Sequence, residues 1–481
     1  MSDTWDVIVI GGGPVGENAA QYAIAGSDRT AVIIESELVG GECPYWACMP
    51  SKALLLPGQV RDHAMAMPGV EVEERLGVGA VLDRRNRFTS AWDDAGQLSW
   101  ADSIGVAVVR GQARLTGVRQ VQVGNRTLTA RRAVVLATGS APNQPPIPGL
   151  AQARAWTSRD ATAIRTVPAS IMIIGGGVVA CESATWLSSF GCTVTMAVRG
   201  DRLLTNTEPF AGERVADALA ARGVKIIFGV EVTGVERAQV HDEATAPVGE
   251  PHGGPVTTTV QTSDGSAQAH RTDELLVSVG RHPAIDGLGL EAVGLNKIEV
   301  DDHLQVVGTN GEWLYACGDV SGRTPLTHMG KYQARVCGDV IAARADGRAL
   351  DAARFSSTSD HNSVTQVVFT DPEVASVGPT EQQARDAGRT VSAVEIDIAV
   401  AGSSLFRDDF AGRAKLVVDD ERDVLVGATF VGPGVAELLH AATIAVVGEV
   451  PLSSLWHAVP AYPTISEVWL RLLEERRSAE R

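Results

Sequence analysis

Apolar residues in this chain come mostly in short β-branched runs closed by glycine. The first run, residues 6–10 (DVIVI), leads into Gly11, Gly13 and Gly16, then into the helical stretch NAAQYAIA and a second run, AVIIE, ending on Glu35. Runs of this kind predict buried parallel strands, and strand, glycine turn, helix, strand predicts a doubly wound α/β unit. The pattern returns at 171–182 (IMIIGGGVVACE), with Gly175, Gly177 and Ala180 in the three glycine slots; the next strand, TVTMAVR, ends on Arg199. RRAVVLATGS, with Thr138 and Gly139, and ELLVSVGRHP, with Gly280, are strands that run into glycine turns, and LYACGDVSG presents Asp319 at a strand end. Beyond residue 350 the segments VTQVVFTDPEVASVG, RAKLVVDDERDVLVGATFVG and VAELLHAATIAVVG read as strands followed by a helix. They carry no glycine fingerprint and predict a separate α+β module. Residues 241–270, rich in Gly, Pro, Thr, Ser and Ala without periodicity, read as a long mobile insertion between strands.

At 481 residues, 44% hydrophobic and 21% charged, the chain has the make-up of an ordinary globular protein of about three domains. The formal net charge of −17 argues against nucleic acid or an anionic membrane surface as the main partner. The opening MSDTWDVIVIGGG has no basic flank and passes at once into glycines, so neither a signal peptide nor a membrane span is expected, and the cytoplasm is the expected compartment. In that compartment six cysteines do not predict a structural framework, and a closely spaced pair points to redox or catalytic use.

Each glycine turn is placed to let a pyrophosphate approach the backbone at a helix N-terminus, with Glu35 positioned for a ribose hydroxyl. Arg199 stands at the same spacing from Gly177 as Glu35 from Gly13. An arginine there suits the 2′-phosphate of NADPH better than the 2′-hydroxyl of NADH, although no second arginine clearly joins it. The stretch 40–52, GGECPYWACMPSK, carries Cys43 and Cys48. Pro44 suits a first helical position, which makes Cys43 an N-cap and puts Cys48 just inside the helix. Pro50 is expected to distort the same turn, and Lys52 to follow Cys48 on one helical face. From spacing alone the pair reads either as a redox couple or as two buried structural thiols; it matches no zinc pattern, and no metal is expected.

Over nearly its full length the chain resembles the class I pyridine nucleotide-disulfide oxidoreductases, among them dihydrolipoamide dehydrogenase, glutathione reductase, mercuric reductase and soluble transhydrogenase. The resemblance is carried by GGGPVG with Glu35, GGECPYWACMPSK, ATGS, GGGVVA with Glu182, SVGRHP, YACGD, FTDPEVASVG and PAYPTISE, in the family's order. It implies two Rossmann-like domains, for FAD (1–150 and 281–350) and for NAD(P) (151–280), and a C-terminal α+β dimerisation domain (351–481). It also implies FAD contacts at Gly11, Gly13, Gly16, Glu35, Lys52, Thr138, Gly139 and Asp319. NAD(P) contacts fall at Gly175, Gly177, Ala180, Arg199 and Gly280. Cys48 matches the thiol nearer the flavin, Cys43 the interchange thiol that meets substrate, and Lys52 with Glu182 the pair assisting hydride transfer. The implied activity is reduction of a small-molecule or protein disulfide by a homodimer, with electrons passing from NADPH, or NADH, through FAD and the Cys43–Cys48 disulfide.

The pattern is departed from at the C-terminal motif. Where dihydrolipoamide dehydrogenase and glutathione reductase have a histidine paired with a glutamate, this chain has Tyr462 with Glu467. A phenol of pKa about 10 is a poor base for a thiol near neutrality. His457 lies upstream, but Pro460 and Pro463 break any helix aligning it. Tyrosine at this position also resembles mercuric reductase and soluble transhydrogenase, but the tail WLRLLEERRSAER lacks the former's cysteine pair and Cys48 is typically absent from the latter. Tyr45 and Trp46 are bulky for the family and either narrow access to the disulfide, stack an aromatic substrate or pack inside. Cys181, Cys192, Cys317 and Cys337 read as inert core thiols. Two other readings stay open: a diaphorase, quinone reductase or transhydrogenase-like flavoprotein that bypasses the cysteines, and a non-catalytic flavoprotein binding component.

Overall fold

The computed structural model describes residues 3–479. Their chain forms two compact units, one from the segments up to Pro50, Asn86–Asn143 and Arg281–His361, the other from Ser51–Arg85, Gln144–Gly280 and the segment from Asn362 on. Four helices carry the candidate chemistry: α1 (Pro14–Ile24), α2 (Cys48–Met65), α3 (Val178–Ser189) and α4 (Thr327–Ala345).

In the first unit the strand Thr4–Ile10 lies between Ala31–Glu35 and Arg126–Leu136, parallel to both, with Val106–Arg110 and Leu314–Ala316 extending the parallel set. Val7, Ile8, Val9, Val32, Ile33, Val134 and Val135 are fully buried. A strand covered on both faces has no polar side to alternate with, hence the unbroken apolar runs. Each such side chain contributes about 1.5–3 kcal/mol. α4 lies directly on α1, and the close approach needs glycine: a Cβ on Gly330 would stand 2.7 Å from Val15 Cγ2, and one on Gly338 2.5 Å from Tyr22 Cβ.

The second unit repeats the plan with Ser170–Ile174 between Thr193–Val198 and Glu274–Val277, again parallel. It adds an antiparallel five-stranded sheet in the order 365–368, 373–377, 424–432, 413–419, 391–397. Residues of the helices Leu439–Val447 and Glu467–Ala479, including Ala442, Ala445, Val468 and Leu472, close its core over Leu416 and Phe430. The fold is thus α/β with two Rossmann-like sheets and a C-terminal α+β module.

The expected mobile insertion at 241–270 is corrected. Val256–Thr262 pairs antiparallel with Val230–Arg237 on one side and with Ala267–Thr272 on the other, and the loop before them is pinned by buried polar groups. His252 Nδ1 sits 2.8 Å from Arg154 O, its Nε2 lies 3.4 Å from Asp160 Oδ1, and its backbone N–H donates to Glu274 Oε2 at 2.9 Å. Glu274 is itself paired with Arg237, both side chains fully buried. Composition misread the segment because buried polar pairing helps order it and its apolar alternation, Val256 and Val260, is too short to register as a period.

Candidate functional site

Gly11 leaves the first strand at φ +106°, and a Cβ there would stand 2.2 Å from Ala137 O; a Cβ on Gly16 would stand 1.9 Å from Gly11 O. No other residue fits this turn. Glu35 holds it, its Oε2 accepting from Gly12 N–H at 2.6 Å and its Oε1 from Glu37 N–H at 2.7 Å. Gly13 caps α1 without any side-chain hydrogen bond, so the first-turn donors stay available to an anion, which fits the pyrophosphate of a dinucleotide. Near the same sheet edge Ser140 Oγ donates to Asp319 Oδ2 at 2.5 Å, Arg281 Nε donates to Ser140 Oγ at 2.8 Å, and Thr138 Oγ1 donates to Ala284 O at 2.7 Å. Gly139 and Gly280 both take positive φ, at +74° and +100°. Arg281 was not singled out in the sequence, although it stands inside SVGRHP.

The second glycine turn is built alike. A Cβ on Gly175 would lie 2.4 Å from Ser278 O, Gly177 caps α3 with open space where its side chain would be, and Ala180 is fully buried. Arg199 is exposed directly beyond Thr193–Val198. Arg202, half-buried, donates to Thr205 O at 3.0 Å, so a second arginine does stand close to Arg199 in the chain at this strand end.

Cys43 is not an N-cap. Gly41, at φ +63°, caps a short helix Glu42–Tyr45 that contains Cys43; the chain leaves it at Trp46, and α2 starts afresh at Cys48. The reason is Gly41, whose missing Cβ lets it rest on Gly13, where a side chain would meet Gly13 Cα at 2.7 Å. Pro50 does not distort the turn: it falls in the first turn of α2, where no N–H is needed, and the helix runs on past it and past Pro57. The break between two helices, then, places the half-buried Cys43 and Cys48 thiols near each other. Cys48 Sγ also lies 3.2 Å from Thr327 Oγ1, at the first residue of α4. The Cys48 thiol beside it, then burial, push the Cys43 pKa well up, while Thr327 and the Lys331 ammonium pull it down.

Tyr45 is buried against Gly40, and burial, with Asp94 nearby, pushes its pKa up to about 12, so it packs inside instead of lining an entrance. Trp46 remains half-buried and meets Trp92, ring centroids 5.7 Å apart at 39°. Trp92 closes a turn in which Ser90, Ala91 and Trp92 have φ +48°, +50° and +60°, a left-handed conformation costing on the order of 1 kcal/mol per residue.

Lys52 follows Cys48 by one turn of α2, on the same face. In the second unit its Nζ lies 2.9 Å and 3.1 Å from the two carboxylate oxygens of Glu182, which is 4% exposed and accepts a further bond from Phe369 N–H at 3.0 Å. The Phe369 ring lies 4.7 Å from the same Nζ. A buried carboxylate so supplied has partners for both oxygens and fixes the position of the Lys52 amine.

Glu467 is buried and bonded to Arg471 at 2.8 Å, whereas Tyr462 is 75% exposed; both line an open cleft of about 530 Å³ with Asp397, Glu474 and Glu475. His457 is exposed. Cys181, Cys192, Cys317 and Cys337 are buried, and burial pushes the pKa of Cys192 up to about 12 and those of Cys181 and Cys337 higher, as inert thiols require. Among the described residues no helix is long and apolar enough to cross a membrane.

Comparison with known proteins gives concordant matches. The family model described as pyridine nucleotide-disulphide oxidoreductase matches residues 5–334, and that of the dimerisation domain of the same group matches residues 364–472. The chain is 29% identical to a dihydrolipoyl dehydrogenase of Rhizobium etli, covering 97% of both chains, and 27% identical to a mercuric reductase of Staphylococcus aureus, covering 96% of this chain and 81% of that one. Among solved structures, a Cu(II) complex of the HOCl-induced flavoprotein disulfide reductase RclA from Escherichia coli superposes with a TM-score of 0.79 at 23% identity, over 98% of this chain and 99% of that one.

Proposed function

We propose, from the premise that this chain belongs to the pyridine nucleotide-disulphide oxidoreductase family, that it is an NADPH-dependent reductase of a disulfide acting through Cys43 and Cys48. FAD-dependent pyridine nucleotide-disulfide oxidoreductase activity follows from membership; the nucleotide preference and the acceptor are our reading. The observation that carries it is the placement of the two thiols near each other on either side of a helix break, with Thr327 against one of them.

Bound FAD supplies the two-electron link between nicotinamide and dithiol. The first glycine turn, with Gly11, Gly13 and Gly16, together with Glu35, Thr138, Gly139 and Asp319, is read as its cradle. Gly175, Gly177, Ala180 and Gly280 are read as the nucleotide's. Glu182 holds Lys52 oriented. On the acceptor side the Cys43 thiolate attacks one sulfur of a disulfide, and the other sulfur leaves as a thiolate and takes a proton. Cys48 then attacks Cys43, the second acceptor sulfur departs, and the internal disulfide is restored. We read the domains as 1–150 and 281–350 for FAD, 151–280 for NAD(P) and 351–481 for a homodimer contact.

Arg199 and Arg202 are read as the 2′-phosphate contacts. Arg199→Glu is expected to shift the ratio of kcat/KM for NADPH over NADH by about 10- to 100-fold toward NADH, the loss of one or two charge-assisted bonds. Steady-state kinetics with both nucleotides measure it, and an unchanged ratio refutes the assignment. A second reading, a diaphorase that passes electrons to quinones, is favoured by the exposure of Tyr462 where a base is needed and by the Trp46–Trp92 pair. An anaerobic acceptor screen comparing wild type with Cys43→Ser separates the two. Disulfide reduction lost with dye reduction retained supports the first reading; a natural acceptor still turned over supports the second.

A further inference from the structure

The dithiol has two charged neighbours to which the resemblance assigns no role. Lys331 follows Thr327 by one turn of α4, on the face that brings Thr327 Oγ1 to within 3.2 Å of Cys48 Sγ. Gly330, beside it, is the residue through which α4 rests on Val15 of α1. Two residues beyond Val15, in the first turn of α1, stands Glu17, whose Oε1 is buried with no hydrogen-bond partner among the described residues. An orphaned carboxylate oxygen in such a place is costly and needs a reason.

The electrostatics connect these groups. Burial pushes the Glu17 pKa up to about 7, and the Lys331 charge acts against that rise. The same ammonium is one of two groups that favour the charged form of Cys43, against its neighbour thiol and burial. Besides Lys331 on α4, the group facing Glu17 is Tyr45 on the short helix, and Tyr45 in turn faces Asp93, Asp94 and Arg110. The histidine that ionises the interchange thiol in the resembled enzymes is Tyr462 here, a residue poorly suited to the task.

We propose that Lys331, opposed across the α1–α4 contact by Glu17, sets the ionisation of Cys43 and so does within one chain what a C-terminal histidine does elsewhere in the family. The inference rests on the reading of Cys43 as the interchange thiol. Lys331 is the charge that stabilises the thiolate; Glu17 is its counter-charge, which offsets part of the Lys331 field at Cys43. The proton Cys43 sheds on ionising ends on the first departing acceptor thiolate, and the proton of Cys48 ends on the second. One acceptor S–S bond is thereby exchanged for the Cys43–Cys48 bond, and two acceptor thiols are released.

The test uses the holoenzyme reduced anaerobically with one equivalent of dithionite and labelled with iodoacetamide from pH 5 to 9, the label located by mass spectrometry. Lys331→Met is expected to raise the apparent pKa of Cys43 labelling by about one unit, a roughly tenfold slower reaction at pH 7. Lys331→Arg should keep the wild-type profile. Glu17→Gln should move the profile the opposite way, about two- to threefold faster at pH 8, where the wild-type residue is a carboxylate. Opposite shifts cannot arise from loosened packing, and flavin absorbance confirms that each variant is folded. A Lys331→Met profile identical to wild type, or shifts of the same sign in both variants, overturns the proposal while leaving the exchange reading intact. Wild-type label on Cys48 with none on Cys43 overturns both.

Discussion

Cys48→Ser is expected to lower disulfide-reductase turnover by at least about 10³-fold while leaving bound flavin and dye reduction in place. A serine hydroxyl can take the 3.2 Å contact with Thr327 Oγ1, so the fold has little to lose. What goes is the resolving step: without a second sulfur the mixed disulfide on Cys43 waits for an external thiol. Effects of groups acting as a unit are not additive, so Cys43→Ser and the double variant should sit at the same floor. Stopped-flow reduction and steady-state turnover together make the measurement, and disulfide turnover within tenfold of wild type would contradict the role.

The largest loss of stability is expected from Glu274→Ala. Glu274 accepts from Arg237, whose Nη1 stands 3.2 Å from Oε2, from His252 N–H at 2.9 Å and from its neighbour Leu275 N–H at 2.9 Å, all out of water. Removing the carboxylate strands a buried guanidinium and unties the loop that His252 anchors. Breaking one partner of a buried pair typically costs about 3–5 kcal/mol, a drop in Tm on the order of 10 °C. Replacing both partners, as Arg237→Met with Glu274→Leu, should recover most of it, because the desolvation cost disappears along with the pair. Differential scanning calorimetry of the single and double variants distinguishes this from simple cavity formation, in which the double variant would be no better.

Much of this architecture was legible in the chain, and the reasons are physical. Strands buried on both faces must be apolar throughout, and a dinucleotide turn tolerates only glycine where a Cβ would strike a carbonyl, as at Gly11 and Gly16. The Lys52–Glu182 pair was reachable only through the resemblance, and Phe369, which completes it, lies in FTDPEVASVG with nothing local to mark it. The position of Cys43 was misjudged because proline at a first helical position is a local rule, whereas Gly41 resting on Gly13 is a contact between distant segments. Buried polar pairs leave no periodic trace, which is part of why 241–270 looked loose. Glu17 and Lys331 belong to two helices far apart in sequence, and only their packing brings one toward the other.

The central claim is that the nicotinamide nucleotide delivers its electrons to Cys43 and Cys48. The most direct measurement is differential alkylation of the oxidised holoenzyme before and after one equivalent of NADPH under anaerobic conditions, with peptide mass spectrometry. Conversion of a peptide pair linked through Cys43 and Cys48 into two singly labelled thiols is the predicted result. A link that persists after nucleotide oxidation, or two thiols already labelled before NADPH is added, would contradict it.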